Sequence, residues 1–317
     1  MYRSKLRDGL IVTVMNGTLN RQGGGRAPLV IGGVGGSGTR VYRKIVEAAG
    51  YTMLTAPWPL HHFSRREHHD NYFLLKYFYA RWVDRYLLGE LKPAELKQMR
   101  LELKTLLVLS GPAHYGRGLW GWKNPRTLYL LPFLNELYPD MRYIHVIRDG
   151  RDHAFHPRFP YEHDVLLSPE QRRSEEPVRK ALAWDSANTL GERAGDTFLQ
   201  GRYMQSRLED LCADPTAEIG RVFAFLGCQD DAGVARAARY VKKPSSSGRW
   251  RDEAADAIAA VERAVGAPLQ RYGYALHTKV GNEPTTAPAR GSRRNRTLPT
   301  TRPVGPRSKP HSTPPGR

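Results

Sequence analysis

The chain has 317 residues, with 49 Lys and Arg against 31 Asp and Glu, a formal charge of +18 and 40% apolar residues. That length suits one large α/β domain or two smaller ones, and the apolar share is enough for a real core, which excludes a wholly disordered chain. No apolar run approaches the about 18 residues of a membrane span, Leu10–Met15 is too short for a signal core, and Cys212 and Cys228 can furnish neither a disulfide scaffold nor a four-thiolate zinc site, so the expected compartment is the reducing cytoplasm.

Residues 1–27 read as a flexible lead-in ending in Gly23-Gly24-Gly25. Pro28–Ile31 is a short continuous apolar run, as buried parallel strands are. A glycine cluster follows over Gly32–Gly38, then a helix with Val41, Ile45, Ala48 and Ala49 on one face and Gly50 as its stop. Strand, glycine loop and helix together open an α/β domain. Asn71–Leu109 is predicted mostly helical, and Trp120–Trp122 a short strand whose end carries Lys123. Leu128, Leu131, Leu134 and Leu137 make a helical stripe ended by Pro139-Asp140. Met141–Ile147 has the buried-strand pattern and runs into Arg148-Asp149-Gly150-Arg151-Asp152. Pro177–Ala194 reads as a helix with Pro in its first turn, and Tyr203–Arg207 as a strand. Asp214-Pro215 caps a helix whose apolar face is Ile219, Val222, Phe223 and Leu226, closed by Gly227.

The last segment, residues 281–317, holds eight Lys or Arg, eight Pro, no aromatic residue and one acid, Glu283. It cannot bury enough apolar surface to offset the entropy of ordering, and is expected to be a disordered basic tail. The tail either solubilises the chain or touches acidic surfaces, nucleic acid or phospholipid weakly. It accounts for +7 of the charge, leaving +11 on a basic body suited to an anionic ligand.

A loop between a buried strand and a helix aims backbone N–H groups into one concavity, where the helix dipole adds positive potential. Glycines let that backbone approach a phosphate, so Gly35-Gly36-Ser37-Gly38-Thr39 is a candidate anion cradle, with Arg40 beside it. Gly33 and Gly38 have the spacing of a nucleotide triphosphatase loop. Thr39, however, stands where its lysine belongs, and Arg40 where its magnesium-binding hydroxyl belongs, which argues against a kinase or ATPase.

Four segments in order resemble the sulfotransferases that use 3′-phosphoadenosine 5′-phosphosulfate, in particular their bacterial branch. Gly36-Ser37-Gly38-Thr39-Arg40 resembles their 5′-phosphosulfate loop. Ile144–Ile147 followed by Arg148-Asp149-Gly150-Arg151-Asp152 resembles the strand and arginine that hold the 3′-phosphate. Arg202-Tyr203 through Glu209-Asp210-Leu211, with Asp214-Pro215 and Phe225-Leu226-Gly227, resembles a Glu-Asp-Leu element and its following helix. Ser246-Ser247-Gly248-Arg249-Trp250-Arg251 resembles the loop that closes over the nucleotide. The resemblance covers about Pro28–Arg251 and implies a three-layer P-loop-like α/β fold, a central parallel sheet flanked by helices, over residues 28–280. It implies nucleotide contacts from Gly35 to Arg40, from Arg148, from His156 where relatives have Ser, and from Lys243, Ser247, Gly248 and Arg249.

The chain departs from the family pattern in places. Gly36 stands where relatives carry Lys or Arg, Val41 and Leu208 stand where they carry aromatics, and stacking on adenine is then either weaker or supplied by Trp250 or another ring. Arg148 also has a plainer reading, as a surface ion pair with Asp149 or Asp152.

Sulfuryl transfer needs a deprotonated acceptor and cations that stabilise charge on the leaving phosphate. Lys123, in Gly121-Trp122-Lys123-Asn124-Pro125, resembles the family's lysine element and is assigned to the leaving group. The base is sought in His61–Asn71, with Asp70 first, Glu67 second and His62 third. The other reading of this segment is a solvated, charge-mixed loop. Its paired histidines lack a zinc-helix spacing, and no metal is expected. The expected reaction moves a sulfo group from that nucleotide co-substrate to a hydroxyl or amine of a carbohydrate or small natural product. The alternatives are a kinase-like phosphoryl-transfer enzyme and an inactive nucleotide-binding relative.

Overall fold

The computed structural model describes residues 26–55, 72–111, 114–157 and 164–277. The expected basic tail lies outside the described residues, as does the expected lead-in up to residue 25. His62, Glu67 and Asp70 also lie outside them.

Five strands form one parallel sheet: β1 (Leu29–Gly33), β2 (Thr52–Met53), β3 (Trp120–Lys123), β4 (Arg142–Ile147) and β5 (Tyr203–Arg207), in the order β2-β3-β1-β4-β5. In register, Ile31 sits beside Lys123 and Ile144, Gly33 beside Val146, and Ile147 beside Arg207. Parallel pairing requires crossover connections, and the helices that make them cover both faces. The helices in chain order are α1 (Thr39–Ala48), α2 (Tyr72–Leu87), α3 (Pro93–Ser110), α4 (Leu131–Leu137), α5 (Gly150–Ala154), α6 (Pro169–Arg172), α7 (Glu176–Ala194), α8 (Leu208–Ala213), α9 (Pro215–Leu226), α10 (Asp231–Ala238) and α11 (Ala255–Arg271). None of them is long and apolar enough to cross a membrane.

Successive strand side chains point to opposite faces, which divides the core in two. On one side Leu29, Ile31, Ile144, Val146 and Met204 pack with Tyr42 and Ile45 of α1 and with Ile219, Val222 and Phe223 of α9. On the other, Val30, Trp122 and Tyr143 pack with Trp82 of α2, Leu103 of α3, Trp184 of α7 and Val261 of α11. The result is the expected three-layer α/β/α arrangement.

Local chemistry sets most element ends. Asp214 Oδ1 accepts from Ala217 N at 3.0 Å and caps α9, and Gly227 ends it in the left-handed conformation. Three details differ from the sequence reading. In α1 it is Tyr42, not Val41, that is buried with Ile45, because Tyr42 reaches Ser206 across the layer with 2.5 Å between the hydroxyls. The leucine stripe divides into a 3₁₀ turn over Pro125–Leu130 and then α4, since the Asn124 side chain starts the turn early. Two-residue β2 and the C-terminal helix α11 were not expected.

Candidate active site at the carboxyl edge of the sheet

The carboxyl ends of β1, β3, β4 and β5 lie side by side, the edge where open α/β sheets bind their ligands. After β1 the chain turns through Val34–Gly38. Gly36 has φ 83° and Gly38 φ 91°, a region that side chains disfavour. A Cβ on Gly38 would also stand 2.7 Å from Leu208 Cδ1. Gly38 is the N-cap of α1 and makes no side-chain cap bond to the first turn. Ser37 and Thr39 are buried, while Gly36 and Arg40 are exposed.

After β4 comes a segment of a different kind. Arg148, 6% exposed, donates from Nε and Nη2 to Asp152 Oδ2 at 3.1 and 2.8 Å. The plainer reading of Arg148 therefore holds in part: the ion pair with Asp152 exists, but it is buried. The same guanidinium donates from Nη1 to Gly36 O at 3.2 Å, and from Nη2 to Ser246 O at 2.6 Å and Ser246 Oγ at 3.1 Å. Gly248 N donates to Asp152 Oδ2 at 2.9 Å, and Arg249 Nε to Ser246 O at 3.2 Å. One arginine thus ties the glycine loop, the start of α5 and residues 246–249 together.

A second buried arginine supports the first. Arg151 is held by both Asp149 oxygens at 3.0 and 2.8 Å, by Glu262 of α11 at 2.6 Å and by the Ala275 carbonyl at 2.9 Å. Its guanidinium lies 3.8 Å above the Trp250 ring, and that of Arg251 lies 4.6 Å from the same ring. Trp250 is buried under these cations, so it braces Arg151 and is not open for stacking on adenine. Asp149 N donates to Glu209 Oε1 at 3.0 Å, and Tyr274 Oη to Glu209 Oε2 at 2.9 Å. Burial pushes the Glu209 carboxyl above its ordinary range despite these bonds. Trp184 Nε1 donates to the Arg148 carbonyl at 3.0 Å and steadies the strand end from α7. Behind it His145 of β4 joins Tyr203 Oη at 2.6 Å and Asn188 Oδ1 at 3.0 Å, and burial lowers its pKa to about 4.

Lys123 ends β3 and is 4% exposed. Asn124 follows, its N donating to Ile31 O at 3.0 Å and its Oδ1 accepting from Arg126 N at 3.0 Å. Asn124 Nδ2 is buried without an acceptor, and Asp152 Oδ1 is buried without a donor. Such orphans cost on the order of 1–3 kcal/mol each. Among the other expected nucleotide residues, the His156 carbonyl takes a bond from Lys180 Nζ at 2.7 Å, Lys243 is exposed, and Ser247 N turns back to Pro244 O at 2.9 Å. Among the described residues no three His, Cys, Asp or Glu side chains gather as a metal cluster would.

The sequence reading missed Glu262, Asn188, Tyr274 and the bracing role of Arg151. A strongly charged stretch behind a buried strand was the available signal for Arg151. Nothing local marked Glu262, which comes from more than a hundred residues downstream.

The profile of the sulfotransferase family matches residues 28–232. No curated protein sequence matches the chain. Among solved structures, sulfotransferase STF9 from Mycobacterium avium superposes with a TM-score of 0.51 at 14% identity, covering 84% of this chain and 82% of that one. It shares the fold described above. The sulfotransferase domain of the Synechococcus PCC 7002 olefin synthase gives 0.41 at 18% identity, covering 77% and 96%. Mouse sulfotransferase SULT7A1, complexed with PAP, gives 0.43 at 12%, covering 78% and 89%.

Proposed function

The chain belongs to the sulfotransferase family, and we propose that it transfers a sulfo group from 3′-phosphoadenosine 5′-phosphosulfate to a hydroxyl or amine of a carbohydrate or small natural product. The observation that carries this reading is the set of bonds from Arg148 to Gly36, Asp152 and Ser246, which joins the loop, strand-end and C-terminal segments expected to grip one nucleotide.

The residues suit such a donor. A phosphate-bearing end needs backbone amides and fixed cations. Of the loop residues Gly35, Gly36, Ser37, Gly38 and Thr39 at the start of α1, Ser37 offers its hydroxyl, since its amide bonds Val34 O, and the others are assigned amide contacts, with Arg40 beside them; Arg148 and Arg249 supply planar cations. His156, Lys243, Ser247 and Gly248 are assigned supporting contacts. Lys123 is assigned to stabilise charge building on the leaving phosphate. Asp70 is assigned to take the acceptor's proton, with Glu67 and His62 as the other candidates. No metal has a role in this scheme.

The test is thermal melting with adenosine 3′,5′-bisphosphate, followed by a screen of acceptors with labelled donor. At a hundredfold excess over Kd the bisphosphate should stabilise the fold by about 2.7 kcal/mol, and magnesium ATP should do less. No shift with the bisphosphate would overturn the donor assignment. A shift without turnover on any acceptor would leave a nucleotide-binding relative that has lost its chemistry.

A further inference from the structure

His153 lies on α5, buried, with its Nε2 3.3 Å from Ser37 Oγ of the glycine loop. The two residues are 116 positions apart, so this contact couples the segment after β4 to the loop after β1. The Ser37 amide already donates to Val34 O at 3.1 Å. Its hydroxyl is therefore the group with which Ser37 can address an anion. A serine hydroxyl rotates freely unless a neighbour fixes it, and a neutral imidazole can do so in two ways. With its proton on Nδ1, the ring accepts from Ser37 and turns that hydroxyl away from any ligand. With its proton on Nε2, it donates to Ser37 Oγ and leaves the serine proton to point elsewhere.

We propose that His153 is a positioning residue of the donor site: by donating from Nε2 to Ser37 Oγ, it directs the Ser37 hydroxyl proton toward the 5′-phosphate end of the bound nucleotide. This rests on the reading of the site as one for 3′-phosphoadenosine 5′-phosphosulfate. The surroundings keep the ring neutral, so the tautomer decides whether Nε2 donates or accepts. Burial first, then electrostatic interaction with Arg148 at the end of β4, with His156 beyond α5 and with Arg249 in the C-terminal segment, lower its pKa to about 3. The neighbouring carboxylate on α5, Asp152, is taken up by Arg148 and Gly248 through Oδ2. The anionic end of the nucleotide selects the Nε2-protonated tautomer, because only that one offers it a hydroxyl donor.

The test is calorimetric binding of adenosine 3′,5′-bisphosphate and adenosine 3′-monophosphate to the wild type, His153→Leu, His153→Gln, Ser37→Ala and the Ser37→Ala/His153→Leu double variant. The Leu variant should bind the bisphosphate about tenfold more weakly, the scale of one hydrogen bond to a charged group, with monophosphate affinity unchanged. Ser37→Ala should show the same selective loss, and the double variant no more than either single. The Gln variant should recover wild-type binding, because its amide donates from a similar position. Equal losses for both nucleotides, multiplying losses in the double variant, or a Gln variant as weak as the Leu variant would each overturn the proposal. Should the Leu variant fail to fold, Ser37→Ala and His153→Gln decide alone: a Ser37→Ala loss shared by both nucleotides, or a weak Gln variant, sinks it. Absence of binding of either nucleotide to the wild type would overturn the donor reading instead.

Discussion

Two segments close the carboxyl edge of the sheet by opposite means. After β1 the loop turns on positive-φ glycines and presents backbone. After β4 the chain presents side chains: Arg148 and Arg151 are buried among Asp149, Asp152 and Glu262, and every one of these contacts is an ion pair or a charge-assisted bond. The first arrangement takes no charge out of water, and its glycines adopt positive φ without strain. The second takes charges out of water and keeps them only because each has a partner. A change in the glycine loop should therefore strike the ligand more than the fold, and a change in the charged segment should strike both.

Arg148→Ala should have the largest effect. It leaves the Asp152 carboxylate buried without its cation, at a cost of about 3–5 kcal/mol in denaturant unfolding, and it abolishes the thermal shift with bisphosphate. A variant as stable as the wild type would break the contrast. Lys123→Ala should lower turnover about 10²–10³-fold while leaving bisphosphate affinity near normal, which single-turnover kinetics and calorimetry can separate. A parallel loss of affinity would move Lys123 from the chemistry to the binding site.

The third prediction concerns the strand beneath the charged segment. His145 has a pKa of about 4 in the fold against about 6.5 when unfolded, so between those values the unfolded chain binds more protons. Stability is full above pH 6.5 and falls as the pH drops toward 4, by up to about 3 kcal/mol. His145→Gln should flatten that part of the melting-temperature profile without removing the share due to His153. An unchanged slope would show that the neutral imidazole is not what couples this strand to pH. Gly38→Val should cost the least stability, about 1–3 kcal/mol for an unfavourable φ and the contact with Leu208, yet it should erase most of the bisphosphate shift. If Gly38→Val unfolds the protein as readily as Arg148→Ala, the two segments are equally structural and the contrast fails.

The same contrast explains what was legible in the sequence. The strand, glycine loop and helix at Leu29–Ala48 could be read because their signals are contiguous: apolar run, turn-forming glycines, amphipathic spacing. The β4 strand and Arg148 after it were legible for the same reason. Capping residues such as Asp214 announced α9 within a few positions. The Arg148 bonds to Gly36 and Ser246 were not, because a guanidinium reaches partners that only the folded chain brings near. Trp250 misled for a related reason. An aromatic beside a nucleotide loop reads as a stacking platform, and whether its faces are already taken depends on Arg151, far away in sequence. Residues 52–53 were invisible because two residues carry no periodicity.

The bond from Arg151 to the Ala275 carbonyl, with the His277 amide on Glu262 at 2.8 Å, has a practical corollary for anyone shortening this polypeptide. A version trimmed at Arg271 would retain all four recognisable motifs and look complete on paper. It would nonetheless strip an acceptor from a guanidinium deep in the interior and loosen the bracket that keeps Glu262 facing it, so trimmed versions should retain His277.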